Sequence, residues 1–167
     1  MSVERRIRVY AIGDKIVYPM YGAGTIENFE RKVIDGEEET YYVIRMPIGN
    51  LTIMISTRKA DNIGIRGICD SKEIMKKIKQ ISKKPDSVNQ NWNQRFKDNM
   101  EKIKTGDLTL IAEVVRNLMI REKEKGLSAA EKKLLMSAKQ IILSELVLSK
   151  DINKEEAELM LAKELLS

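Results

Sequence analysis

Residues 71–84 read SKEIMKKIKQISKK, and here the pattern of the chain changes. Ile74, Ile78 and Ile81 recur at three- and four-residue spacing with lysines opposite, which predicts a helix with one apolar face. Upstream the grammar is different. KIVY, AGTIENFERKVI, TYYVIRM and LTIMIS are short runs rich in β-branched and aromatic residues, the composition of strands. Turn signals separate them: PMYGAG at 19–24, the pair Asp35-Gly36, and IGN at 48–50. An Asp-Gly pair between apolar runs signals a tight hairpin. Four or five short strands in this space predict a small antiparallel barrel of the Tudor or SH3 kind. Its edge strand could recruit a strand from a partner.

Downstream the helical period continues. PDSVNQ at 85–90 reads as a break. Trp92, Phe96, Met100 and Ile103 then fall at helical spacing, and Gly106 ends that run. Asp107 is placed to cap a helix whose stripe is Leu108, Ile111, Val114, Val115 and Leu118. Gly126 stops it. SAAE at 128–131 has the form of a capping box. It opens a helix with Leu134, Leu135, Ala138, Ile141, Ile142 and Leu146 on one face. Asn153 is placed to cap a last helix carrying Ala157, Met160, Leu161 and Leu165. The fold class is therefore α+β. Residues 1–66 form the Tudor/SH3-like β-barrel, and residues 67–167 form a compact bundle of four or five helices.

Composition narrows the function. The chain has 167 residues, 33% charged and 43% hydrophobic, as expected of a soluble protein. It contains no apolar run long enough to span a membrane. MSVERRIRVYAIGD, at the start, has no apolar core or cleavage site of a secretion signal. Cys69 is the only cysteine, so no internal disulfide forms, and a reducing cytoplasmic setting is expected. There is no histidine, which removes the commonest general base and metal ligand. No phosphate-binding or dinucleotide-binding glycine motif occurs. No catalytic residue, metal or cofactor is expected, and the chain reads as a non-enzyme.

The net charge of +5 is unevenly spread. Residues 67–125 hold 14 basic and 9 acidic groups, whereas the flanking segments are near neutral. A local basic surplus is the footprint of a polyanionic partner, although a soluble surface alone can carry one this small. Trp92, the only tryptophan, lies in this segment among Asn89, Gln90, Asn91, Asn93, Gln94 and Arg95. Spacing alone assigns it to the apolar stripe of its helix. Its amide and cationic neighbours suit bases and phosphates instead.

Three segments together carry a resemblance. GDKIVYPMYGAGTI at 13–26, NWNQRFKDNMEKIKTGDLTLIAEVVRNL at 91–118 and EKGLSAAEKKLLMSAKQIILSEL at 124–146 resemble the CarD family of bacterial transcription regulators, CdnL-like members included. The match covers nearly the whole chain in the right order. The residues before Gly13 form an extension with no functional reading.

The resemblance implies an N-terminal domain that binds the β subunit of RNA polymerase. It also implies a helical domain that meets promoter DNA at the upstream edge of the melted bubble. Trp92 then becomes a minor-groove wedge that stabilises the open complex. Arg95 and Lys97 match basic positions expected to meet phosphate, whereas Gln94 replaces a position that is often basic. On the polymerase side Lys32 matches a basic contact, and Met54 stands where the family has another. If residues 51–56 form the docking edge, backbone pairing tolerates that change; Ile53 and Ile55 read as core. The implied protein is a monomer, cytoplasmic and drawn to the nucleoid through polymerase. The rival reading is a free-standing nucleic-acid-binding module without polymerase contact. The family's N-terminal domain also occurs in a repair helicase, but this chain lacks the phosphate-binding loop of one.

Overall fold

The computed structural model describes residues 9–81 and 91–166. The break expected at 85–90, which includes Asn89 and Gln90, and most of the N-terminal extension lie outside those residues. The chain folds in the order β1 (Lys15–Tyr18), β2 (Gly22–Ile34), β3 (Glu37–Arg45), β4 (Thr52–Ser56), α1 (Ala60–Ile63), β5 (Arg66–Gly67), α2 (Ser71–Lys79), α3 (Trp92–Lys104), α4 (Leu108–Glu124), α5 (Ala129–Lys150) and α6 (Lys154–Leu166). A five-stranded antiparallel sheet is thus followed by helices, as the change of pattern near residue 71 predicts.

The strands lie in the order β4-β3-β2-β1-β5, with β4 at one edge and β5 at the other. Asp35 and Gly36 both have positive φ, 54° and 78°, so the two-residue turn between β2 and β3 is of the primed kind. A register shift between Ile26 and Asn28 marks a bulge in β2. The strand is buried up to Ile26 and exposed from Glu27 onwards. The far half of the β2–β3 hairpin therefore stands clear of the core. Ile16, Ile26, Tyr42, Ile44, Met46 and Ile55 make that core. Ile55 is buried as expected, and Ile53 packs against the cluster half-buried.

The helical unit has its own apolar cluster, with Ile74, Ile111, Val115, Ile142, Leu146 and Leu161 among its most buried members. The stripes read for α2, α4 and α5 are buried throughout. In α6 Ala157, Leu161 and Leu165 are buried, while Met160 is half-exposed. The Asp107 carboxylate accepts from the backbone N–H groups of Thr109 and Leu110, so it caps α4. Asn153 Oδ1 accepts from Glu156 N–H at 2.8 Å in the same manner.

Two local expectations are corrected. In α3 the buried residues are Arg95, Asn99 and Ile103, one position ahead of Phe96 and Met100, which are only half-buried. Ion pairing moves the buried row: Arg95 is drawn under the helix by a carboxylate on α5. The capping box at the start of α5 is half made. Ser128 Oγ accepts from Glu131 N–H at 3.2 Å, but the Glu131 side chain turns inwards to arginines.

Candidate nucleic-acid interface

Trp92 is the first residue of α3, after Asn91, whose side chain caps the helix by accepting from Asn93 N–H. By ideal geometry Trp92 lies on the same side of α3 as Asn99 and Ile103. It is nonetheless 43% exposed, because it sits at the open end of the helix. Its indole is held from two sides. It stacks on Phe96 one turn later, with centroids 5.7 Å apart and planes 21° apart. Its Nε1–H donates to Ser128 Oγ at 3.1 Å, at the N-terminus of α5. An apolar ring is thus presented to solvent in a fixed plane.

Beside it lies charge. Arg95 is 4% exposed and Glu131 1%, and their ion pair closes at 2.5 Å. Arg121 Nε stands 3.8 Å from the other Glu131 oxygen. This triad joins α3, α4 and α5 within a turn of Trp92 on α3 and of Ser128 at the start of α5. The Arg95 guanidinium, expected to face phosphate, instead points inwards, where it is paired with the buried Glu131 carboxylate so that neither charge is left uncompensated. Arg95 instead supports the helix that carries Trp92.

Lys97 is exposed, about 140° round the helix from Trp92 by ideal geometry. Asn91, Asn93 and Gln94 are also exposed, and Gln94 donates to Asp98 at 2.8 Å. Trp92 and Lys97 thus share one helix end but different faces of it. The sequence reads Ser128 and Glu131 only as the two members of a capping box, whereas in the structure they also hold Trp92 and Arg95. The signal was present, since both belong to the GLSAAE segment that carries the resemblance.

The two polymerase-side residues lie on the sheet. Lys32 is exposed on the projecting part of β2, opposite Glu39. Met54 is half-buried at the middle of the edge strand β4, opposite Val43. They are separated by β3 and by four residues along it. Glu39 links the two neighbourhoods, because its carboxylate accepts from Ser56 Oγ on β4 and from Tyr41 Oη. The Ser56 hydroxyl holds the Glu39 carboxyl below its ordinary value, aided by Tyr41 and by the charges of Lys59 and Arg58, against a smaller opposing effect of burial.

The two units of this α+β fold each match a known family model. Residues 10–69 match the CarD-like/TRCF RID domain, and residues 74–162 match the CarD C-terminal domain. A Bacillus subtilis (strain 168) protein named "Putative transcription factor YdeB" is 46% identical over 149 residues, 89% of this chain and 97% of that relative. The chain belongs to the CarD-like family of transcription factors. No helix among the described residues is long and apolar enough to cross a membrane.

Proposed function

We propose that this protein regulates transcription initiation without catalysing a reaction. The sheet binds the β subunit of RNA polymerase, and the helical unit holds promoter DNA at the upstream edge of the bubble. On the polymerase side the contacts are Lys32 and the β4 edge around Met54. Backbone pairing along an edge strand supplies affinity even where Met54 brings no charge. On the DNA side Trp92 fills the distorted junction between duplex and melted strands. Melting costs stacking energy, so a ring that packs only against the open junction shifts the population towards the open complex. Lys97 meets backbone phosphate. Arg95 acts indirectly, by fixing α3 to α5 beside the wedge.

The observation that carries this reading is the exposed but braced indole of Trp92. Partial exposure is ordinary at a helix end, but here the exposed ring is also fixed in plane by Phe96 and Ser128, as a wedge requires. The decisive experiment is the lifetime of open complexes on the cognate polymerase. Trp92→Ala should shorten it while polymerase binding survives, and Trp92→Phe should restore part of it. An unchanged lifetime for Trp92→Ala overturns the wedge. Lys97→Ala should flatten the dependence of log DNA affinity on log salt by about one unit.

A further inference from the structure

Interfaces between units of one chain are commonly small and allow relative motion. Here the sheet meets α5 through a seam of directional bonds. Gly22 lies so close to α5 that an added Cβ would collide with Ser144 Oγ and come within 3.3 Å of Ile141 Cα. Ser144 Oγ accepts from Ala23 N–H at 2.8 Å and donates to the Ile141 carbonyl at 2.9 Å. Lys15 Nζ donates to the Leu148 carbonyl at 3.0 Å. Ser149 Oγ donates to the Cys69 carbonyl at 2.8 Å.

Glu145 lies at the centre of the seam and is fully buried. It accepts from both terminal nitrogens of Arg66, at 2.8 and 3.1 Å, and from Cys69 N–H at 2.8 Å. A two-pronged charged pair fixes angle as well as distance. Burial alone would weaken the hold of Arg66 on its proton, but the bonds and charge of Glu145 more than reverse this. Residues 144, 145, 148 and 149 share one face of α5, so all of these bonds close on one side of a single helix.

The other end of α5 begins at Ser128 and Glu131, which hold Trp92 and Arg95. Glu131 and Glu145, the two buried carboxylates of the helix, stand 14 residues apart, or about 21 Å. We propose that α5 is a rigid strut setting the distance and angle between the polymerase-facing sheet and the Trp92 wedge. Glu145 and Arg66 are its positioning residues. The inference rests on the reading of Trp92 given above. Two attachments made by one molecule reinforce each other only when the geometry lets both engage at once, and the gain is then roughly 10²–10⁴-fold. A fixed strut secures that geometry before polymerase is met.

The test uses the full chain with Glu145→Gln, which keeps the size and one acceptor but removes the charge. Lys15→Ala with Ser149→Ala is the second variant, because it loosens the seam without touching a buried charge. Nitrogen-15 relaxation on the free protein reports whether the sheet and the helices tumble together. The wild type should tumble as one body, and each variant should show two correlation times. Binding to the isolated β subunit and to duplex DNA should stay within about twofold of wild type in each. The lengthening of open-complex lifetime should nevertheless fall on the order of tenfold or more. Loosened units with an undiminished lifetime overturn the strut, as does a wild type whose units already tumble separately. Tumbling is read without polymerase, so the rigid seam is judged even if Trp92→Ala shows no effect on lifetime and the wedge itself fails.

Discussion

Helices α3 and α4 follow one another in sequence and pack together, yet they bury opposite kinds of side chain. The buried face of α4 is Leu108, Ile111, Val114, Val115 and Leu118, with Arg116 as the exception among its large side chains. The buried residues of α3 are Arg95, Asn99 and Ile103, while its tryptophan lies 43% exposed and its phenylalanine half-buried. Apolar burial is the main favourable term in folding, so α4 is what folding alone produces. A helix that leaves its tryptophan 43% exposed and its phenylalanine half-buried, with an arginine buried instead, forgoes part of that gain. Such an inversion is what the proposed contact of Trp92 with DNA requires. The Arg95–Glu131 ion pair makes the inversion tolerable, since a buried guanidinium without a carboxylate is strongly unfavourable.

The comparison breaks most sharply at Glu131. Glu131→Ala withdraws the carboxylate shared by Arg95 and Arg121, and should cost about 3–5 kcal/mol of stability. Denaturant unfolding measures this. The double change Arg95→Met with Glu131→Leu should recover most of the loss, because well-packed apolar pairs commonly replace buried ion pairs without penalty. If the single change proves harmless, the triad does not hold α3 in place. Next comes α4, where Leu118→Ala leaves a cavity at a fully buried site. It should cost about 2–5 kcal/mol by the same measurement. Neither result depends on DNA.

Trp92 gives a smaller effect on stability. Trp92→Ala loses a stacked pair and one exposed hydrogen bond, about 1–2 kcal/mol, together with the burial of the shielded part of the ring, and should still cost less than the loss of a fully buried ring. A core tryptophan would cost about 3–5 kcal/mol. Thermal unfolding of the variant therefore separates braced surface from core before any polymerase is added. A loss at the upper figure places the indole in the core and removes the contrast between α3 and α4.

The same contrast explains what was legible in the sequence. The Asp35-Gly36 turn, the four main strands and the stripes of α2, α4 and α5 follow from local rules and apolar period, and each lies where those rules put it. Asp107 and Asn153 cap as read, because a cap acts within a turn of its own position. In α3 period reading is right for Ile103 and in part for Phe96 and Met100, which pack half-buried against the core, but it misses Arg95 and Asn99. It counts apolar residues and has no way to see that Glu131, 36 residues away from Arg95, draws a cation into the row that Phe96 and Met100 were expected to fill. The Arg66–Glu145 pair, 79 residues apart, was invisible for the same reason. In this chain the support of α3 and the seam both rest on long-range charge pairs, which leave no trace in local pattern.

The smallest expected effect lies on the sheet, at the side of β3 that backs the edge strand. Glu39 there accepts from Ser56 and Tyr41, and its carboxyl sits below its ordinary value of about 4.5 chiefly through the Ser56 hydroxyl. A carboxyl depressed in the folded chain binds its proton less tightly there than in the unfolded one. It therefore adds stability that is present above the unfolded value and lost as pH falls through the folded one. Glu39→Gln abolishes this titration. Wild type and variant should differ slightly at neutral pH, and the gap should close as pH falls below about 4.5. Unlike the α3 triad, this group is near solvent, so salt should shrink the part of the effect due to Lys59 and Arg58 and leave the Ser56 part standing. Urea midpoints for both proteins from pH 7 to pH 3, at low and high salt, measure it. A gap that widens towards acid would mean that Glu39 is held in its protonated form instead, and that the Ser56 hydroxyl accepts from it.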